Sequence, residues 1–186
     1  MGEKFKKLAK QIYATATRLG WHNEKEKKSN DLWMCLVMTE IAEAVEADRK
    51  GTYGHTLEYK AEYSRHIEAE EDEILWRDYY ENHIKPSREA EMADVVIRLL
   101  DFAYTAFGDS MNWEKVSIEP VPDKDFPDIA YYFVKELLYP NPNAIFTCLR
   151  FMYEWAARLD FDLDWHIRMK MMFNATRPYK HGGKKY

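Results

Sequence analysis

Apolar residues recur along this chain every three or four positions, the period of helices that bury one stripe, and no strand-like alternation survives counting. Phe5, Leu8, Ile12, Ala16 and Leu19 trace the first stripe, and Gly20 follows as its stop. Ser29 or Asn30 can cap a second helix carrying Leu32, Leu36, Val37, Ile41, Ala44 and Val45, which ends near Gly51. Residues of about 56–83 are densely charged; a helix is predicted there, with a thin stripe of Ile67, Ile74 and Leu75. Pro86-Ser87 opens a clearer helix through Ala90, Ala93, Val96, Ile97, Leu100 and Ala103, closed by Gly108. A loop with Pro120 and Pro122 spans 109–124. Helices of about 127–138, 143–159 and 162–174 follow, with Pro127 and Pro142 suited to first turns and Pro178 ending the last. The fold class is all-α, one helical domain over residues 1–186.

Composition supports one folded domain. The 186 residues are 46% apolar, 15% aromatic and 32% charged, with only 7 Gly and 7 Pro, which excludes disorder over the whole length. No apolar run approaches the ~20 residues of a membrane span, and the polar start is unlike a signal sequence, so a cytoplasmic protein without membrane contact is expected. Cys35 and Cys148 sit in apolar helical patterns and are expected to be reduced core thiols. A net charge of −5 argues against general nucleic-acid binding. The charge is nevertheless segregated: after Asp164 no acid occurs, while Arg168, Lys170, Arg177, Lys180, Lys184 and Lys185 do.

Two short patterns stand out. The second helix carries Glu40-Ile-Ala-Glu43, and the helix after Ser87 carries Glu91-Met-Ala-Asp94. Residues three apart share a helical face, so each pair projects two carboxylates together. Their neighbours Ile41, Ala44, Met92, Ala93 and Val95 are apolar, so these helices bury much of their circumference. Buried carboxylates are costly unless a cation compensates them. Four of them from two packed helices make an oxygen-rich pocket suited to Mg²⁺ or Mn²⁺. Each pattern alone also fits a solvated acidic face.

The basic end offers complementary charge. Arg177-Pro-Tyr-Lys180-His181 supplies a planar fork and a point charge for phosphate oxygens, with Gly182 and Gly183 allowing close backbone approach. The other reading of 175–186 is a solvated basic tail. Trp21, Trp33, Tyr53 and Tyr179 are candidates for stacking on a base, with Trp33 equally suited to the core.

The order Glu-x-x-Glu, then Glu-x-x-Asp, on helices of an all-α chain resembles the MazG-type nucleoside triphosphate pyrophosphohydrolases, a superfamily that includes the dimeric dUTPases and the dCTP pyrophosphatases. Gly20-Trp21-His22 ahead of the second helix is similar to the family's opening, and Arg177-Pro with Lys180-His181-Gly to the tail of MazG-like members. The resemblance covers roughly residues 5–50, 87–108 and 163–186. It places Glu40, Glu43, Glu91 and Asp94 on the metal-ligand positions of a helical bundle with extra helices. It implies Mg²⁺-dependent hydrolysis of (d)NTPs between the α- and β-phosphates, giving (d)NMP and pyrophosphate. Glu40 or Glu43 would orient or deprotonate the water. Lys170, Asn174, Arg177, Lys180 and His181 would hold the phosphates, and Trp21 and His22 would lie by the substrate. A homodimer or higher homo-oligomer is implied as well. Residues of about 51–85 depart from the family pattern and are expected to form an exposed, inserted helical arm; 109–162 align with nothing in it. The competing function is a non-catalytic helical nucleotide-binding or regulatory protein that keeps the fold. Glu-x-x-His pairs, a phosphate-binding Gly-x-x-x-x-Gly-Lys loop and a serine elbow are all missing from the sequence.

Overall fold

The structure is a computed structural model that describes residues 2–22, 28–54, 58–61, 73–111, 113 and 124–183. Among the described residues all regular structure is helical. In chain order it comprises α1 (Gly2–Arg18), α2 (Asn30–Lys50), α3 (Glu73–Tyr79) running into a π-turn at Tyr80–Ile84, and α4 (Arg88–Phe107). Then come α5 (Phe126–Glu136), α6 (Pro142–Arg158), α7 (Leu163–Ala175) and a short turn at Lys180–Gly183. None of these helices is long and apolar enough to cross a membrane.

The predicted ends are set by side chains that take up orphan backbone donors. Ser29 is the cap of α2 and accepts from the Leu32 amide; Ser87 does the same for Ala90 at the head of α4. Asn141 accepts from the amides of Asn143 and Ala144 to start α6, and Asp162 accepts from Trp165 to start α7.

Helix α4 is the axis of the bundle and packs against α1, α2, α6 and α7. It is buried almost all round: Val96, Leu99, Leu100 and Phe102 join the main core with Phe5, Val37, Phe133 and Leu149. Burial also encloses charged residues of α4, namely Arg88, Glu89, Glu91, Asp94 and Asp101. Arg88 and Glu89 are spent locally. The Arg88 guanidinium donates to Asp48 and Glu89, and Glu89 accepts from the Gly54 amide, so the start of α4 is tied to the segment after α2.

Two expectations are corrected. The end of the 51–85 region is not an exposed arm: Trp76, Tyr80 and Ile84 are buried and form a second apolar cluster with Ala90, Trp165, Met169 and Phe173. The Tyr80 and Phe173 rings stack at 4.8 Å. The stripe that packs is Trp76, Tyr80 and Ile84, spaced by four; Ile67 and the side chains of Ile74 and Leu75, on which the predicted stripe rests, lie outside the described residues. Cys35 is exposed on the outer face of α2, while Cys148 is buried as expected; both are free thiols.

Candidate active site: a cavity with an acidic end and an aromatic end

Glu91, Asp94, Ile97, Arg98 and Asp101 succeed one another at helical spacing along one face of α4. This stripe is one wall of a cavity of about 730 Å³. Ile12 and Ala16 of α1 and Leu19 just past its end line it too, with Leu36, Thr39, Glu40 and Glu43 of α2 and Lys170, Met171 and Asn174 of α7. Trp21, Lys85, Arg177 and His181 complete its rim. Its size is that of an ordinary small-molecule site.

At one end, Glu40, Glu91 and Asp94 each bring a carboxylate oxygen within 4.8 Å of the others. Burial raises the Glu91 pKa to about 8, and the neighbouring Asp94 charge adds to the rise. Glu40 is raised for the same two reasons, partly offset by the Arg98 guanidinium that donates to it at 3.0 Å. Lys170 is buried and donates to Asp94, which holds its ammonium charged despite desolvation. Three acids thus share one volume with two fixed cations, Lys170 on Asp94 and Arg98 on Glu40, and their hard oxygens suit a divalent ion.

Glu43 is placed differently. It lines the same cavity but is exposed, and its carboxylate stands outside the triad. Its charge still reaches Glu91 and helps raise that group's pKa.

Among the expected phosphate contacts, Lys170, Asn174, Arg177 and His181 all line the cavity. The Asn174 Oδ1 is buried there without a hydrogen-bond partner among the described residues. Lys180 is not part of the lining; its backbone amide donates to the Leu19 carbonyl at 2.8 Å. While Pro178, Tyr179, Gly182 and Gly183 stay exposed, that bond ties the basic end at Lys180 to the end of α1. Gly20 makes this possible: it adopts φ +86, and a Cβ there would overlap the Tyr179 ring. Lys184, Lys185 and Tyr186 lie outside the described residues.

The other end is aromatic. Trp21 meets the His181 ring edge-on at 5.1 Å, and the Lys28 ammonium donates to the Trp21 carbonyl at 2.6 Å. Of the expected substrate neighbours, Trp21 lines the cavity and His22 does not. His22 lies between Tyr13 at 4.4 Å and Trp33 at 5.9 Å, and its Nε2 bonds Asp101 Oδ1 at 2.8 Å. Trp33 is core, and Tyr53 lies under the Arg88 guanidinium at 4.4 Å. Sequence reasoning passed over Asp101. The signal was its position seven residues, about two turns, beyond Asp94 on the same face.

No protein-family model, curated protein or solved structure matches this chain.

Proposed function

We propose that this chain is a Mg²⁺-dependent nucleoside triphosphate pyrophosphohydrolase of MazG-like kind, cleaving (d)NTPs between the α- and β-phosphates. The observation that carries the reading is the convergence of Glu40, Glu91 and Asp94 at one end of a nucleotide-sized cavity whose other end is apolar and aromatic. Three buried acids crowded together, two of them (Glu40 and Glu91) with raised pKa values, resist ionising together, and a divalent cation is the partner that removes the penalty. Mg²⁺ or Mn²⁺ held by these oxygens would offset phosphate charge and make a bound water more acidic.

The remaining work falls to this chain's own side chains. Glu40, Glu91 and Asp94 form the ligand set, with Glu43 completing it or serving as the base. Arg98 orients Glu40. Glu43 opens to solvent and can pass on a proton taken from the attacking water. Arg177 and Asn174 line the path that the polyphosphate would take, and His181 stands beside Trp21 at the aromatic end. The family likeness also brings a homodimer or larger homo-oligomer, which sedimentation measures directly.

The deciding experiment is a panel of common NTPs and dNTPs with Mg²⁺, read as pyrophosphate release. Orthophosphate as the primary product overturns the α–β assignment. A second reading rests on the Lys170–Asp94 ion pair: the acids are balanced by this chain's own ammonium, and the site binds nucleotide without cleaving it. Nucleotide binding with no heat of Mg²⁺ binding and no product in the same panel would establish that reading instead.

A further inference from the structure

The proposed hydrolysis gives no role to Asp101, a buried acid of the cavity lining. Asp101 lies at the end remote from the triad, with its side chain only 10% exposed. Seven residues at 1.5 Å each put it about 10 Å along α4 from Asp94. A nucleotide with its phosphates at Asp94 fills such a span with sugar and base together; a sugar alone falls short of it.

The two oxygens of Asp101 differ. Oδ1 is held by His22 Nε2 at 2.8 Å, and His22 is fixed in turn between Tyr13 and Trp33. Oδ2 receives no hydrogen bond from any described residue, and Asp101 is a lining residue of the cavity. The apolar part of the cavity lining is Ile12, Ala16, Leu19, Leu36, Ile97 and Trp21, with Thr15, Thr39 and Arg98 among its polar members. An ionised carboxylate only accepts. A ligand that displaces water from this oxygen and leaves it unmet loses affinity, and one that meets it with another acceptor loses more.

We infer that Asp101 reads the base of the substrate, selecting nucleobases with an exocyclic amine (cytosine, adenine, guanine) over uracil and thymine. The inference rests on the proposed nucleotide site. Cytosine N4 and adenine N6 present an amine, and guanine a paired N1–H and N2 amine, to an acceptor. Uracil and thymine instead present O4 at the place where cytosine has its amine and a single N3–H flanked by the O2 and O4 acceptors, which a carboxylate repels. Trp21 supplies a ring face or edge for the base. His22 is a positioning residue: it spends Oδ1 and leaves Oδ2 for the ligand.

The test is equilibrium binding of the α,β-methylene analogues of CTP, ATP, GTP and UTP, which resist cleavage at that bridge. The wild-type protein is expected to bind the three amine-bearing analogues about tenfold or more tighter than the uridine one. Asp101→Asn, which puts an N–H donor within reach of O4, should erase or reverse that order. His22→Gln should weaken the preference less than Asp101→Asn does. Equal wild-type binding of the CTP and UTP analogues overturns the inference, as does an Asp101→Asn effect of the same factor on all four. If Asp101→Asn fails to fold, a 2-pyrimidinone triphosphate analogue, lacking the amine, replaces it: binding to wild type as tight as that of the cytidine analogue overturns the inference, and a loss of about tenfold upholds it. Selective binding without pyrophosphate release from CTP removes the hydrolase reading and leaves this one standing. No binding of any analogue removes both.

Discussion

Helices α2 and α4 carry nearly the same four-residue pattern, Glu40 to Glu43 and Glu91 to Asp94, and meet along one cavity. Their surroundings make different chemistry of it. Helix α4 is enclosed by four other helices, so both of its acids are buried. Helix α2 keeps an outer face, where Cys35, Thr39 and Glu43 are exposed, so Glu40 points inward and Glu43 stays at the rim. Identical spacing thus yields three buried acids, of which Glu40 and Glu91 have their ionisation suppressed, and one acid in contact with water. The lesson is that a motif fixes which side chains share a face, while the packing around that face fixes their charge.

The largest effect should come from separating Asp94 from Lys170. Asp94→Ala strands a buried ammonium, at a cost of about 3–5 kcal/mol, and also removes a proposed metal oxygen. Chemical denaturation should show the loss, and titration calorimetry should show no Mg²⁺ binding. A variant as stable as wild type would mean that Lys170 turns to Glu40 or Glu91 at no cost.

The comparison of α2's own two acids comes next. Glu40→Ala should weaken Mg²⁺ binding at least about tenfold, as expected for loss of a ligand or its close support. Glu43→Ala should leave Mg²⁺ affinity nearly unchanged and lower kcat by about 10²–10⁴ if Glu43 is the base. Equal loss of affinity in both would place Glu43 among the ligands despite its exposure.

Glu91 sharpens the contrast through pH. An ordinary glutamate titrates near 4.5, and in the fold Glu91 holds its proton up to about 8. Its contribution to stability is therefore full below the ordinary range and is lost as pH rises through about 8. Glu91→Gln keeps the neutral shape, so in metal-free buffer at pH 9 it should be more stable than wild type by about 1–3 kcal/mol. The two melting curves should converge near pH 5. A difference independent of pH would contradict the raised pKa. The acids of one pair are thus expected to act in opposite directions, Asp94 supporting the metal-free fold and Glu91 weakening it.

A smaller effect, about 1 kcal/mol, is expected at Gly20. Gly20→Ala strains a positive φ and displaces the Tyr179 ring, which should expose the Lys180 amide to faster hydrogen exchange while the helices stay protected. Unchanged exchange at Lys180 would show that the basic end docks without Gly20.

Much of the helical layout was legible because its signals are local. Ser29, Ser87, Asn141 and the prolines at 127 and 142 act within their own turns, so they mean the same thing in sequence and in fold. The Trp76–Tyr80–Ile84 stripe was harder to see, because Arg77, Asp78, Glu81 and Asn82 surround it and give the segment a solvated look. Only α7, supplying Trp165, Met169 and Phe173, shows what those aromatics are for. The carboxylate pairs were visible by spacing. The exposure of Glu43, the capture of Asp94 by Lys170 across 76 positions of chain and the partnership of Asp101 with His22 are tertiary, and no local pattern encodes them.

Trp21 has an optical consequence. Of the six tryptophans, Trp33, Trp76, Trp113, Trp155 and Trp165 are buried, and Trp21 alone stands at the cavity. Collisional quenching by acrylamide should therefore remove a single fluorescent component from the emission and leave a blue-shifted remainder. A ligand settling against the Trp21 indole would shield that component, so occupancy of the aromatic end can be followed by light without a label.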